Sequence, residues 1–141
     1  MDNRSIDMVK AVLEALPHKG YNPIVMVDPT GSVVNKIVKE HFDNCDKRSC
    51  AVELNEIIDV NDIANRQWLL ETKPILIIYN IEKFVSGAEW QLRFFDLMNF
   101  THENDINVMI TSSVPIYELL VEGRVYARLN WGIMIELDDE I

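Results

Sequence analysis

Pro74-Ile75-Leu76-Ile77-Ile78-Tyr79 is an uninterrupted apolar run, and a strand of that kind has no face to give to water. Alternating polarity marks a half-exposed strand; a continuous run marks a strand covered on both sides, as in a parallel sheet. Ile24-Val25-Met26-Val27 has the same character. Amphipathic segments lie around these runs. Ser5 to Leu16 carries Ile6, Val9, Val12, Leu13 and Leu16 on one face. From about Ser32 to Phe42, Val33/Val34, Ile37/Val38 and His41/Phe42 recur at helical spacing, with Lys36, Lys39 and Glu40 outside. Gly87 to His102 predicts a further helix, filled by Trp90, Phe94, Phe95, Leu97, Met98 and Phe100. Ala51–Leu54, Asn107–Thr111 and Gly132–Leu137 predict three more strands, with short helices over Ile116–Leu120 and Glu122–Leu129. Glu56 to Thr72 predicts one or two short helices carrying Ile57, Ile58, Ile63, Trp68 and Leu69. Apolar strands alternating with amphipathic helices give an α/β domain with a mostly parallel sheet.

The 141 residues suit one domain over 1–141, with no repeat, linker or low-complexity tract. No apolar run approaches the roughly 18 residues of a membrane span, and Met1-Asp2-Asn3-Arg4 begins no signal peptide, so a cytoplasmic protein is expected. A net charge of -10 argues against extensive contact with nucleic-acid backbone, which needs clustered Lys and Arg. It suits a basic partner, or simple solubility. Cys45 and Cys50 lack two further ligands at metal-site spacing, and His18, His41 and His102 are scattered, so reduced thiols and no metal are expected.

Asp28-Pro29-Thr30-Gly31-Ser32-Val33-Val34-Asn35 stands where a phosphate-binding loop stands, after an apolar strand and before an amphipathic helix. Such a loop reads G-x-x-x-x-G-K-[ST], its glycines letting backbone N–H groups approach phosphate and its Lys neutralising the charge. Asp28 replaces the first Gly, Val33 the second, Val34 the Lys and Asn35 the Ser/Thr; Gly31 is retained between them. A carboxylate at Asp28 would repel phosphate. Val33 and Val34 are expected to turn inward and fill the volume that phosphate would take.

Tyr21-Asn22-Pro23, the altered loop, and Ile75 through Glu82 resemble the AAA+ core of the DnaA/Hda family, the bacterial replication initiator and its regulatory paralogue. Asn80-Ile81-Glu82, Trp90, Phe95-Asp96-Leu97, Asn99, Ile110-Thr111-Ser112, Pro115 and Ala127 through Gly132 extend the likeness toward the Hda side. With the segment Asn3 to Glu14, it covers nearly the whole chain. The resemblance implies a three-layer αβα sandwich with a mostly parallel five-stranded sheet, the P-loop NTPase/AAA+ core without its helical lid.

Carried over by position, the resemblance is largely a record of losses. The family's second nucleotide motif ends in acidic residues that hold Mg²⁺; the corresponding positions are Tyr79 and Asn80, and neither supplies an anionic oxygen. The polar sensor of the fourth strand falls at Ser113, followed by Val114. A lid, a DNA-binding helix-turn-helix and a clamp-binding peptide are also expected to be absent. No nucleotide cofactor is therefore expected, and no ATP hydrolysis. Arg124 and Arg128 match the family's R-x-x-x-R element, the second at the place of the arginine finger that acts in a neighbouring subunit's site. They are the candidate partner-binding residues; the alternative is that they anchor their helix to acidic neighbours such as Glu122.

The function so implied is a non-catalytic DnaA/Hda-like core that regulates replication initiation by protein contact. Its expected partner is DnaA or another AAA+ replication ATPase, with little direct nucleic-acid binding and a homo-oligomer as a further possibility. Two alternatives are a nucleotide-bound regulatory switch of the Hda type and a structural or assembly subunit reusing an inactive scaffold. Trp90, Phe94, Phe95 and Phe100 are read as core rather than as a base-stacking surface. Asp138-Asp139-Glu140 is read as a solvated terminus, and the pairs Glu14/His18 and His41/Asp43 have no nucleophile beside them.

Overall fold

A computed structural model describes residues 3–15, 23–43, 51–54, 75–83, 87–119, 121 and 123–137. The elements in chain order are helix α1 (Asn3–Ala15), strand β1 (Ile24–Val27), helix α2 (Val33–Asp43) and strand β2 (Ala51–Leu54). Strand β3 (Ile75–Ile78), helix α3 (Gly87–Glu103), strand β4 (Asn107–Ser112), helix α4 (Gly123–Leu129) and strand β5 (Ile133–Glu136) complete them. The expected helices over Glu56–Thr72, the cysteine segment and the acidic terminus lie outside the described residues.

The five strands form one sheet in the order β2-β3-β4-β1-β5, and all four neighbouring pairs are parallel. The α/β sandwich expected from the sequence is therefore the fold observed. Every described residue of β1, β3 and β4 is buried, as the continuous apolar runs of β1 and β3 require, and β4 buries Asn107, Thr111 and Ser112 as well. Their side chains part by period two into two cores. Ile24, Met26, Ile75, Ile77, Tyr79 and Met109 face one way and pack with Val9, Leu13, Val34, Val38 and Phe42 of α1 and α2. Val25, Val27, Leu76, Ile78, Val108 and Ile110 face the other way and pack with Phe94, Leu97, Val125 and Leu129 of α3 and α4. Helices on both faces make the three layers.

The aromatics of α3 divide. Phe94 is buried, while Phe95 and Phe100 are half-buried against the same core; the side chain of Trp90 lies outside the described residues. The helix expected over Ile116–Leu120 is a single 3-10 turn, Ile116–Glu118, because Leu119 is already extended at φ -73° and ψ 132°. A second 3-10 turn, Ile81–Lys83, follows β3 and drives Ile81 into the core. It has no counterpart in the sequence reading: three residues are too few to show a helical period.

Candidate functional site

The parallel sheet brings the carboxyl ends of β1, β3 and β4 to one edge, where ligand sites of such sheets form. Asp28 and Ser113 follow β1 and β4 directly, and Asn80 stands two residues past the end of β3. The N–H of Asp28 donates to the carbonyl of Ser112 at 2.7 Å, tying the loop after β1 to the end of β4.

Asp28 is only 3% exposed. Its Oδ1 accepts from the N–H of Thr30 at 2.9 Å and from Thr30 Oγ1 at 2.7 Å. Its Oδ2 accepts from the N–H of Val34, in the first turn of α2, at 2.9 Å. Thr30 Oγ1 accepts longer bonds from the N–H groups of Ser32 and Val33, each 3.4 Å. The sequence suggested only repulsion of phosphate at this residue; the fold also gives the carboxylate a bonding role. Gly31 has φ +75°, a conformation that other residues rarely take, and its N–H donates to the carbonyl of Asp28 at 2.9 Å.

Val34 is fully buried in the α1–α2 core, whereas Val33 is only half-buried. The expectation that both valines turn inward is corrected to Val34 alone. Consecutive helical residues lie about 100° apart, so one inner face takes only one of them.

Asn35 and Asn80, from the two motif positions that would serve a metal ion, are bonded to each other: Asn35 Nδ2 donates to Asn80 Oδ1 at 2.9 Å. Asn80 sits at φ 56°, and its N–H donates to Thr111 Oγ1 of β4 at 2.9 Å. Tyr79 is buried in the sheet, its ring facing Lys39 Nζ at 5.2 Å. Glu82 turns across to the sensor position, where Oε1 accepts from the N–H of Ser113 at 2.7 Å. Ser113 Cβ in turn lies 3.7 Å from where a Cβ on Gly31 would stand. Among the described residues no group of three His, Cys, Asp or Glu is placed to hold a metal ion, and no helix is long and apolar enough to cross a membrane.

The two arginines of α4 lie on aromatic faces of the other core. The Arg128 guanidinium is 3.8 Å from the ring centroid of Trp131 and 4.7 Å from that of Phe95, and Arg128 Nε donates to Asn99 Oδ1 at 3.0 Å. Arg124 lies 5.2 Å from the same Phe95 ring. The anchors found for Arg128 are thus an amide and two rings; Glu122 lies outside the described residues.

No protein-family model matches the chain. A 79-residue stretch, 55% of the chain, is 32% identical to the chromosomal replication initiator DnaA of Bacteroides thetaiotaomicron, of which it covers 16%. Over 140 residues, 90% of the chain is 27% identical to DnaA of Leifsonia xyli and covers 29% of that protein. AMPPCP-bound DnaA from Aquifex aeolicus superposes on 98% of the chain with a TM-score of 0.74 at 17% identity, over 47% of that structure. The chain has a DnaA-like AAA+ fold. It spans less than a third of the length of the curated DnaA relatives it matches.

In this DnaA-like core the fold unites Asp28, Gly31, Val34, Asn35, Tyr79 and Asn80 at one sheet edge and leaves Arg124 and Arg128 on α4. Sequence reasoning named Thr30, Thr111 and Asn99 but missed the bonds they make at the site, and missed the bond between Glu82 and Ser113. Thr30 had a signal, since an Asp two residues before a Thr favours local side-chain bonding. The other three depend on contacts between distant segments.

Proposed function

We propose that this DnaA-like core carries out no nucleotide chemistry of its own and regulates replication initiation by binding DnaA or a related AAA+ ATPase. What carries the reading is the Asn35–Asn80 hydrogen bond, 2.9 Å long, between the positions that would otherwise attend a metal ion. One amide donates to the other there, and neither offers the anionic oxygen that Mg²⁺ prefers. Val34 brings no charge to the loop, and Asp28 brings the wrong one. On this reading residues 1–141 act as one domain in the cytoplasm, hydrolyse no ATP and take no metal.

Arg128 and Arg124 are the residues proposed to meet the partner. Arg124 is exposed, and Arg128 is half-buried with its guanidinium 3.8 Å from the Trp131 ring centroid and its Nε bonded to Asn99. A guanidinium fixed in that way is oriented before the partner arrives, which lowers the entropy lost on contact. Interferometry of the chain against DnaA from the same organism tests the proposal, in ATP, in ADP and without nucleotide. Binding that weakens several-fold in Arg128→Ala is expected; no binding in any state would overturn it.

A nucleotide-bound switch is the second reading, favoured by the superposition on a DnaA structure that holds AMPPCP. Calorimetry separates the two. A micromolar heat signal with ADP or ATP would select the switch.

A further inference from the structure

The N-terminus of α2 presents backbone N–H groups with no partner inside the helix, together with the positive end of its dipole. That combination ordinarily receives an anion. The residue at the capping position is Ser32, yet the N–H of Val34 is taken by Asp28 Oδ2 from four residues further back. The other carboxylate oxygen binds the N–H and hydroxyl of Thr30.

We infer that Asp28 is an internal substitute for phosphate, a carboxylate built into the loop that keeps it closed without any ligand. The inference rests on the reading of this loop as a disused phosphate cradle. Three observations converge on it. The carboxylate is buried, so its charge is desolvated and held by the N–H and O–H groups around it. Both of its oxygens are engaged, one by the helix and one by the loop. The adjacent corner is closed by the amide–amide bond between Asn35 and Asn80. A second anion entering the cradle would lie in contact with the Asp28 carboxylate and be repelled. The same residue thus closes the loop and excludes phosphate, so the core keeps one conformation whatever the nucleotide pool.

Chemical rescue tests this. Asp28→Ala, Asp28→Asn and the unaltered chain are melted in sodium formate, sodium phosphate and sodium chloride at matched ionic strength. Salts such as phosphate stabilise folded proteins generally, so rescue is the variant's gain minus that of the unaltered chain in the same salt. Asp28→Ala is expected to melt about 5–10 °C lower in chloride and to recover half or more of that loss in formate or phosphate. Asp28→Asn still fills the space and should show no rescue. Equal gains for Asp28→Ala and the unaltered chain would overturn the inference, as would an Asp28→Ala variant as stable as the unaltered chain. If Asp28→Ala does not fold in chloride, recovery of folded chain in formate or phosphate is the same positive result. Its failure to recover, with Asp28→Asn folded, is the negative one. Loss of DnaA binding with rescue intact would sink the partner proposal alone; loss of rescue with DnaA binding intact would sink this one alone.

Discussion

Asn35 and Asn80, 45 positions apart, are joined by a side-chain hydrogen bond of 2.9 Å that fastens the first helix after the loop to the chain just beyond strand β3. Asn80 makes the bond from a left-handed backbone conformation, φ 56°, which Asn tolerates better than most residues. Asn80→Ala loses the bond and keeps the strain, an expected cost of about 2–3 kcal/mol. Asn80→Gly loses the bond and relieves the strain, for about 1 kcal/mol. Urea unfolding of the two variants should place Ala below Gly; equal stability would show that the bond, and not the backbone, sets the choice of Asn.

Val34 stands where a phosphate-binding loop has its Lys, and it is fully buried. Val34→Ala is expected to cost about 1.5–3 kcal/mol in lost burial and residual cavity. Val34→Lys should cost more, about 3 kcal/mol or above, because an ammonium enters an apolar core unless its stem can carry it out. Thermal melts rank the two. A gain of ATP affinity in the folded Lys variant would show instead that the loop opens.

Gly31 has room for a side chain but not the backbone for one. A Cβ would meet Ser113 Cβ at an ordinary 3.7 Å, while φ is +75°. Gly31→Ala should therefore cost about 1–2 kcal/mol, all of it conformational. Gly31→Asn should cost less than Ala. Guanidinium unfolding of both variants checks the order.

Arg128 and Trp131 should be energetically coupled, given 3.8 Å between guanidinium and ring centroid. A double-mutant cycle with Arg128→Ala and Trp131→Ala is expected to give about 0.5–1 kcal/mol of coupling. Arg128→Lys should lose most of it, since an ammonium keeps the charge but neither the planar guanidinium nor the Nε bond to Asn99. Zero coupling would mean that the stack is incidental.

Much of the architecture was legible from composition along the chain. Strands β1 and β2 fall at their expected residues, Ile24–Val27 and Ala51–Leu54, and for β1 the reason is that a strand buried on both faces must be continuously apolar. Helices α1, α2 and α3 fall within one or two residues of their expected ends, since a helix with one buried face repeats its apolar residues every three or four positions. The 3-10 turns were illegible, being shorter than any period. So was the destination of Val33, because two adjacent valines do not say which of them faces the sheet.

The candidate site divides differently. Asp28, Val34, Asn35, Tyr79 and Asn80 could be named from spacing alone, since a loop between a strand and a helix is a local object. What those residues do was decided elsewhere. Asp28 read in isolation is a charge hostile to phosphate; folded, it is the anion that the α2 terminus holds. Asn35 and Asn80 read in isolation are two lost ligands; folded, they are partners. Arg128 read in isolation is a basic residue on a short helix; folded, it lies over the Phe95 and Trp131 rings.

The sequence by itself determined the order and type of the elements, because burial and helical period are written along the chain. Only the tertiary structure decided the strand order β2-β3-β4-β1-β5 and the pairings at its edge. Those depend on which distant segments the two cores force together, and no local pattern encodes a distance across the sheet.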